Sequence, residues 1–157
     1  MTPPGFDPSR DLLFTRVVAL TPEQLWRGWT EPALLKEWFC PRPWRVTEAE
    51  VDLRPGGRFR TLMQGPNGEQ HDHRGCWLEL VPHRRLTWTD ALLEDFRPGP
   101  NPFVTATLTL EPVAEGTRYV AWVRHKDAAE REKHEAMGFQ EGWGKALDQL
   151  VELLGKA

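Results

Sequence analysis

The chain has 157 residues, 27% of them charged, and a formal net charge of −3 at pH 7. This length fits one domain with a substantial core, and the charge balance gives no basic stripe for nucleic acid. No apolar run has the length of a signal sequence or a membrane span, and Cys40 and Cys76 have no paired spacing. We therefore predict a cytoplasmic protein with reduced thiols that binds neither nucleic acid nor membrane.

Residues 1–10 are predicted to be an N-terminal tail and residues 11–157 a single domain. The first strand is predicted at Asp11–Leu20. Two short helices follow, one capped by Thr21 and the other opened by Pro32.

Six more strands alternate with turn residues in the middle of the chain. They are predicted at Trp44–Leu53, Gly57–Gly65, Glu69–Leu80, Arg85–Leu92, Phe103–Pro112 and Thr117–His125. Because most connections are short, we expect consecutive strands to be antiparallel neighbours in a meander. The long proline-rich connection Leu92–Pro102 is predicted to lie over one end of the sheet as a rim or lid.

A long amphipathic helix is predicted at the C-terminus, capped by Asp127 with Glu130 three residues later. It carries a ridge of large side chains beside a ridge of small ones: Phe139, Trp143 and Leu147 in the first, and Gly138, Gly142 and Ala146 in the second. The small ridge permits two interpretations, close packing on the sheet or room for a ligand. Gly144 belongs to neither ridge. The order of elements predicts an α+β domain with a curved antiparallel sheet.

Four segments carry a family resemblance: TPEQLWRGWTEPALLKEWF, LRPGGRFR, GTRYVAWVRH and GFQEGWGKALDQL. In this order they resemble the heat shock protein 90 ATPase activator-like family, over about residues 10 to 155. That family belongs to the START-like (SRPBCC) superfamily. The resemblance implies a helix-grip fold, in which a sheet of about seven strands, two short helices and a long C-terminal helix enclose a cavity.

Strand alternation predicts which side chains face this cavity. Thr61 is expected to point inward, whereas a one-residue slip would place Arg58, Arg60 or Arg118 there instead. The eight tryptophans of the chain also indicate an aromatic-lined cavity or an interface. The predicted ligand-binding residues are Phe59, Met63, His73, Phe103, Tyr119, Ala121, Val123, His125, Phe139, Gly142 and Trp143.

The meander also predicts that polar residues gather at one end of the sheet. These are His71, His73, Asp90, His125 and His134. General acid–base catalysis by His125, oriented by Asp90, is one interpretation. Solvated or backbone-bonded histidines are the other. No spacing indicates a metal site, and we expect no cofactor.

Three functions are compatible with these features. The first is binding of a small hydrophobic or aromatic molecule. The second is a co-chaperone-like role towards a heat shock protein 90 homologue, although the eukaryotic activators carry a further N-terminal domain. The third is an enzyme of the cyclase or hydrolase kind, which we consider less favoured than binding. A homodimer that buries Trp122, on the opposite face of the sheet, is a further possibility.

Overall fold

The structure, a computed structural model, describes residues 2–155, so Met1 and residues 156–157 of the predicted tail and domain lie outside the described residues. The strands are β1 (Asp11–Val18), β2 (Arg45–Val51), β3 (Arg58–Gln64), β4 (Gln70–Val81), β5 (Arg85–Thr89), β6 (Leu92–Leu93), β7 (Arg97–Pro98), β8 (Thr105–Val113) and β9 (Gly116–Arg124). The α-helices are α1 (Pro22–Thr30), α2 (Pro32–Trp38), α3 (Ala128–Ala136) and α4 (Phe139–Leu154).

Seven strands form one antiparallel sheet in the order β1-β9-β8-β5-β4-β3-β2. The predicted meander is confirmed from β2 to β9, and β1 adds to it by pairing with β9. The helices and this sheet form the predicted α+β helix-grip fold. Inside the predicted long loop, β6 and β7 pair as a small separate hairpin.

The C-terminal helical region is broken in two, where the sequence predicted one long helix. Asp127 caps α3 as expected, since its side chain accepts a hydrogen bond from the Glu130 N–H at 2.9 Å. The chain then turns at Gly138, whose φ of 86° lies in the left-handed region that glycine adopts without a Cβ penalty. Gly138 therefore begins a new helix, α4, and is not part of the small ridge on it.

A side chain from β1 explains why residue 144 is a glycine. The Arg16 guanidinium donates to the Gly144 carbonyl at 3.2 Å and pairs with Asp148 at 2.6 Å. A Cβ at Gly144 would lie 2.7 Å from the Arg16 Nη2 atom. The glycine lets this arginine cross the helix close to its backbone.

The strand phases agree with the predicted inward face. On β3, Phe59 and Thr61 are fully buried while Arg58 is exposed. On β9, the predicted inward residues are buried and Arg118 is exposed. The sheet therefore has the register expected from its alternating pattern.

Trp122 lies on the opposite face of the sheet and is covered by its own chain. Its indole N–H donates to the Asp11 carboxylate at 2.9 Å. The Arg124 guanidinium lies over its ring at 4.2 Å from the centroid, and a Cβ built on Gly5 of the N-terminal segment would lie 3.6 Å from the ring edge. The chain itself therefore supplies an acceptor for the indole N–H and covers the ring, so Trp122 needs no second copy of the protein to bury it. The homodimer stays a prediction.

A buried hydrogen bond joins the first helix to the sheet. Trp29 of α1 and Tyr119 of β9 are each 1% exposed, and the Trp29 Nε1–H donates to the Tyr119 hydroxyl at 3.0 Å. The Trp29 ring also contacts the rings of Trp38, Phe39, Trp88 and Trp143, with centroids 5.2–6.4 Å apart. Trp29 is therefore the common member of the aromatic cluster between the helices and the sheet.

We predict that Tyr119→Phe lowers the free energy of unfolding by about 1–3 kcal/mol, because it leaves the buried Trp29 N–H without an acceptor. Urea unfolding of Tyr119→Phe, Trp29→Phe and the double variant forms a thermodynamic cycle. We expect a coupling energy of at least about 0.5 kcal/mol between the two positions. Additive effects would show that the hydrogen bond contributes nothing to stability.

Candidate functional site

A cavity of about 1050 Å³ lies between the sheet and α4. Nine phenylalanine, tyrosine and tryptophan rings from helices, strands and loops line part of its wall. They are Trp29, Trp38, Phe39, Trp44, Trp88, Phe103, Tyr119, Phe139 and Trp143. Ligand pockets commonly measure 300–1,000 Å³ and have a mainly apolar wall, so both the size and the lining of this cavity suit a small molecule.

Seven of the eleven predicted ligand-binding residues border this cavity. They are Met63, His73, Phe103, Tyr119, Phe139, Gly142 and Trp143. The other four are Phe59, Ala121, Val123 and His125, and they lie behind the wall. Phe59 is covered by Phe39, whose ring centroid is 5.9 Å away, because the end of α2 reaches over β3. Ala121 and Val123 are fully buried in the core.

Sequence reasoning missed several residues of the wall. Trp29 and Trp38 come from the two short helices, and Trp88 comes from a strand whose phase the sequence pattern left open. The excess of tryptophan indicated an aromatic cavity, but it did not indicate which tryptophans form it. Pro100, Asn101 and Pro102 of the long loop also border the cavity, as expected for a rim.

The segment that follows α2 is fixed in place by one buried glutamine of α4. The Gln149 amide donates to the carbonyls of Trp38 and Cys40 at 3.1 and 2.9 Å, and its oxygen accepts from the Arg42 N–H at 2.9 Å. This segment separates the cavity from a shallower pocket of about 700 Å³ on its other side. Burial raises the pKa of the Cys40 thiol to about 11, so this cavity-lining cysteine is a poor nucleophile at neutral pH.

His73 and Asp90 form a polar site in the cavity wall. The His73 Nε2 and Asp90 Oδ2 atoms are 3.8 Å apart, and each side chain is 11% exposed. Neither ring nitrogen of His73 has a hydrogen-bond partner in the protein. Burial lowers the pKa of His73 to about 4, with a further contribution from His71, so its imidazole is neutral at pH 7.

The other carboxylate oxygen of Asp90 is fully engaged. Asp90 Oδ1 accepts from the N–H groups of Phe103 and Val104 at 2.7 and 2.9 Å, which ties the long loop to the end of β5. Burial raises the pKa of the Asp90 carboxyl, and these backbone hydrogen bonds oppose that rise.

His125 pairs with His134 and not with Asp90. Its Nδ1 lies 2.8 Å from the Arg10 carbonyl oxygen, and its Nε2 lies 2.9 Å from His134 Nδ1. The expected pairing with Asp90 is not formed because β8 lies between β5 and β9, which separates the two strand ends by about 10 Å. With both ring nitrogens engaged, His125 has no free position for general acid–base catalysis in this arrangement.

His134 connects α3 to the mouth of the cavity. Its ring contacts those of Phe103 and Phe139, with centroids 4.9 and 5.1 Å away, and burial lowers its pKa to about 4. Around it the mouth is charged, with Lys126, Glu130 and Lys133 on the rim. The mouth is thus more polar than the interior.

Two negative findings concern residues 2–155. No group of three or more histidine, cysteine or acidic side chains is arranged to hold a metal ion. None of the helices is both long enough and apolar enough to cross a membrane.

Comparison with known proteins places the chain in a family. The family described as activator of Hsp90 ATPase homolog 1-like protein matches residues 19–155. The chain belongs to this family, and through it to the START-like superfamily. None of the curated proteins matches the sequence.

Solved structures of bacterial proteins share the fold. A protein from Nitrosomonas europaea is 46% identical with a TM-score of 0.93, covering 96% of this chain and 97% of its own. A protein from Rhodobacter sphaeroides is 29% identical with a TM-score of 0.82, covering 96% and 95%. An AHSA1-like protein from Aeromonas hydrophila is 20% identical with a TM-score of 0.68, covering 92% and 94%, which shows the fold alone.

The neutral state of buried His73 predicts a pH dependence of stability. Histidine in the unfolded chain titrates near pH 6.5, whereas His73 in the folded protein titrates near 4. As the pH falls below about 6.5 the unfolded chain therefore takes up a proton first, and stability is lost until the pH reaches about 4. At pH 5 this residue alone should account for about 1–2 kcal/mol of lost stability relative to pH 7.5.

Urea unfolding at the two pH values measures this effect. We expect His73→Phe to reduce the loss of stability between pH 7.5 and 5 relative to the wild type. An equal loss in His73→Phe and wild type would contradict a neutral, buried His73.

Proposed function

We propose that this family member binds a small hydrophobic or aromatic molecule in the cavity between its sheet and α4. The observation that carries the proposal is the cavity itself, about 1050 Å³ in volume and lined by nine phenylalanine, tyrosine and tryptophan rings. Burial of a ligand against such a wall would gain roughly 25 cal/mol per Å² of apolar surface removed from water. The charged mouth suits passage of a molecule from water into this interior.

The local environment of Gly142 supports the ligand interpretation of the small ridge. A Cβ built on Gly142 meets no atom within 4 Å, although the residue borders the cavity. Close packing of helix on sheet would instead place a neighbour against that position. The absence of a side chain at Gly142 keeps space open beside Trp143.

The family supplies a second candidate, regulation of the ATPase of a heat shock protein 90 homologue. Its support is the family match over residues 19–155. Addition of the protein to a bacterial chaperone of this class tests it, and our proposal of ligand binding predicts an unchanged ATPase rate.

We make no proposal of catalysis, because both ring nitrogens of His125 are engaged. We also propose a cytoplasmic location, which the free, buried thiols of Cys40 and Cys76 support.

Mass spectrometry of the purified protein tests the binding proposal. The protein is analysed under native conditions and again after denaturation and organic extraction. We expect a hydrophobic organic molecule that is present in the native complex and released by denaturation. If no molecule co-purifies and a panel of small aromatic probes also fails to bind, the proposal is wrong.

We predict that Gly142→Leu abolishes ligand binding without loss of stability. The leucine side chain would occupy open space in the cavity, and leucine favours the helix over glycine by about 0.8 kcal/mol. Thermal unfolding with and without an aromatic probe measures both effects. Glu141→Leu, which adds the same side chain at an exposed position of α4, is the control and should bind as the wild type does.

The close-packing interpretation of Gly142 predicts a different result for the same variant. If the small residue serves close packing, Gly142→Leu should overpack the core and destabilise the protein by about 1–3 kcal/mol. That result would contradict the ligand interpretation of Gly142.

A further inference from the structure

We infer that the molecule bound in this cavity carries an uncharged hydroxyl group, which bridges His73 and Asp90. The inference rests on the proposed function and adds the chemical class of the ligand. It follows from the hydrogen-bonding capacity that the cavity wall leaves unused.

The wall contains buried polar atoms that the protein itself does not satisfy. Both ring nitrogens of His73 and the indole N–H of Trp88 lack a hydrogen-bond partner, and the two rings are in edge-to-face contact at 5.0 Å. A buried polar group without a partner costs about 1–3 kcal/mol. Since both residues border the cavity, a ligand there can remove this cost for His73.

The spacing of His73 and Asp90 fits one bridging oxygen atom. At 3.8 Å the His73 Nε2 and Asp90 Oδ2 atoms are too far apart for a direct hydrogen bond. A separation beyond 3.5 Å is one that a third polar atom can bridge. Asp90 Oδ1 already accepts two backbone N–H groups, so Oδ2 is the oxygen available to a ligand.

We assign the His73 proton to Nε2, the nitrogen that faces Asp90, and with this tautomer the count of donors and acceptors selects the hydroxyl group. A neutral His73 offers one N–H donor and one acceptor nitrogen, and Asp90 Oδ2 offers an acceptor. An ammonium group has no acceptor for the His73 N–H, and a carboxylate has no donor for Asp90. A hydroxyl group donates to Asp90 and accepts from His73 at the same time.

The surrounding rings define the rest of the molecule. Phe59 and Trp88 pack edge-to-face on His73, so aromatic rings would surround the hydroxyl group of the ligand. Matched derivatives of one aromatic ring system therefore test the inference. We choose naphthalene, 2-naphthol, 2-naphthoate and 2-naphthylmethylamine, measured by equilibrium dialysis against the full chain.

We expect 2-naphthol to bind the wild type about 10-fold more tightly than naphthalene, as one hydrogen bond to a charged group would give. His73→Phe keeps an aromatic ring and should retain naphthalene binding but lose this advantage. His83→Phe, in the turn between β4 and β5 and outside the cavity wall, should retain both.

A second measurement does not depend on any variant. In wild-type protein, the imidazole ¹⁵N chemical shifts of His73 should change when 2-naphthol is added and stay constant with naphthalene. Constant shifts in both titrations would contradict the inference.

The outcomes separate the inference from the proposed function. Failure of all four probes to bind the wild type, together with the absence of a co-purifying molecule, would overturn the proposed function. Equal binding of naphthalene and 2-naphthol would overturn only the inferred hydroxyl group, as would tightest binding of the amine or the carboxylate. Loss of the 2-naphthol advantage in His83→Phe would overturn the assignment to His73.

Discussion

The buried hydrogen bond between Trp29 and Tyr119 sets the distance between the helices and the sheet. Both side chains are almost inaccessible to solvent, and both border the cavity. An indole N–H buried without an acceptor would be costly, so the pair holds α1 at a fixed position above β9. Because Trp29 also contacts Trp143 of α4, the same ring limits how closely α4 can approach the sheet. The space beside it is the cavity.

Two further contacts preserve this space. Gln149 of α4 fixes the backbone of the segment after α2 through hydrogen bonds to two carbonyls and one N–H, so that wall cannot slide inward without losing buried hydrogen bonds. Asp90 fixes the rim by accepting two N–H groups of the long loop. The polar groups of the wall thus divide into those that hold the frame and those, such as the His73 nitrogens, that are left for a ligand.

The sequence predicted the features that depend on local periodicity. Strand positions and faces follow from alternation along single strands, and the α+β class follows from their order with the helices. The helix-grip arrangement was implied by the family resemblance. The break at Gly138 was missed because glycine in an amphipathic pattern is compatible with both a helix interior and a left-handed turn. The pairing of His125 with His134 depends on how α3 folds back on the end of β9, and the separation of His125 from Asp90 depends on the position of β8 between β5 and β9, neither of which the local sequence pattern encodes. For the same reason the wall tryptophans were expected as a group, and their individual positions had to come from the structure.

A crystal structure of the protein as purified tests the central claim, that the cavity is a ligand site, most directly. The account predicts electron density of a bound organic molecule in contact with Tyr119, Gly142 and Trp143, with an oxygen atom between His73 and Asp90. It would be contradicted by a structure in which Trp143 and Phe139 pack directly on the sheet and leave no space between α4 and the strands.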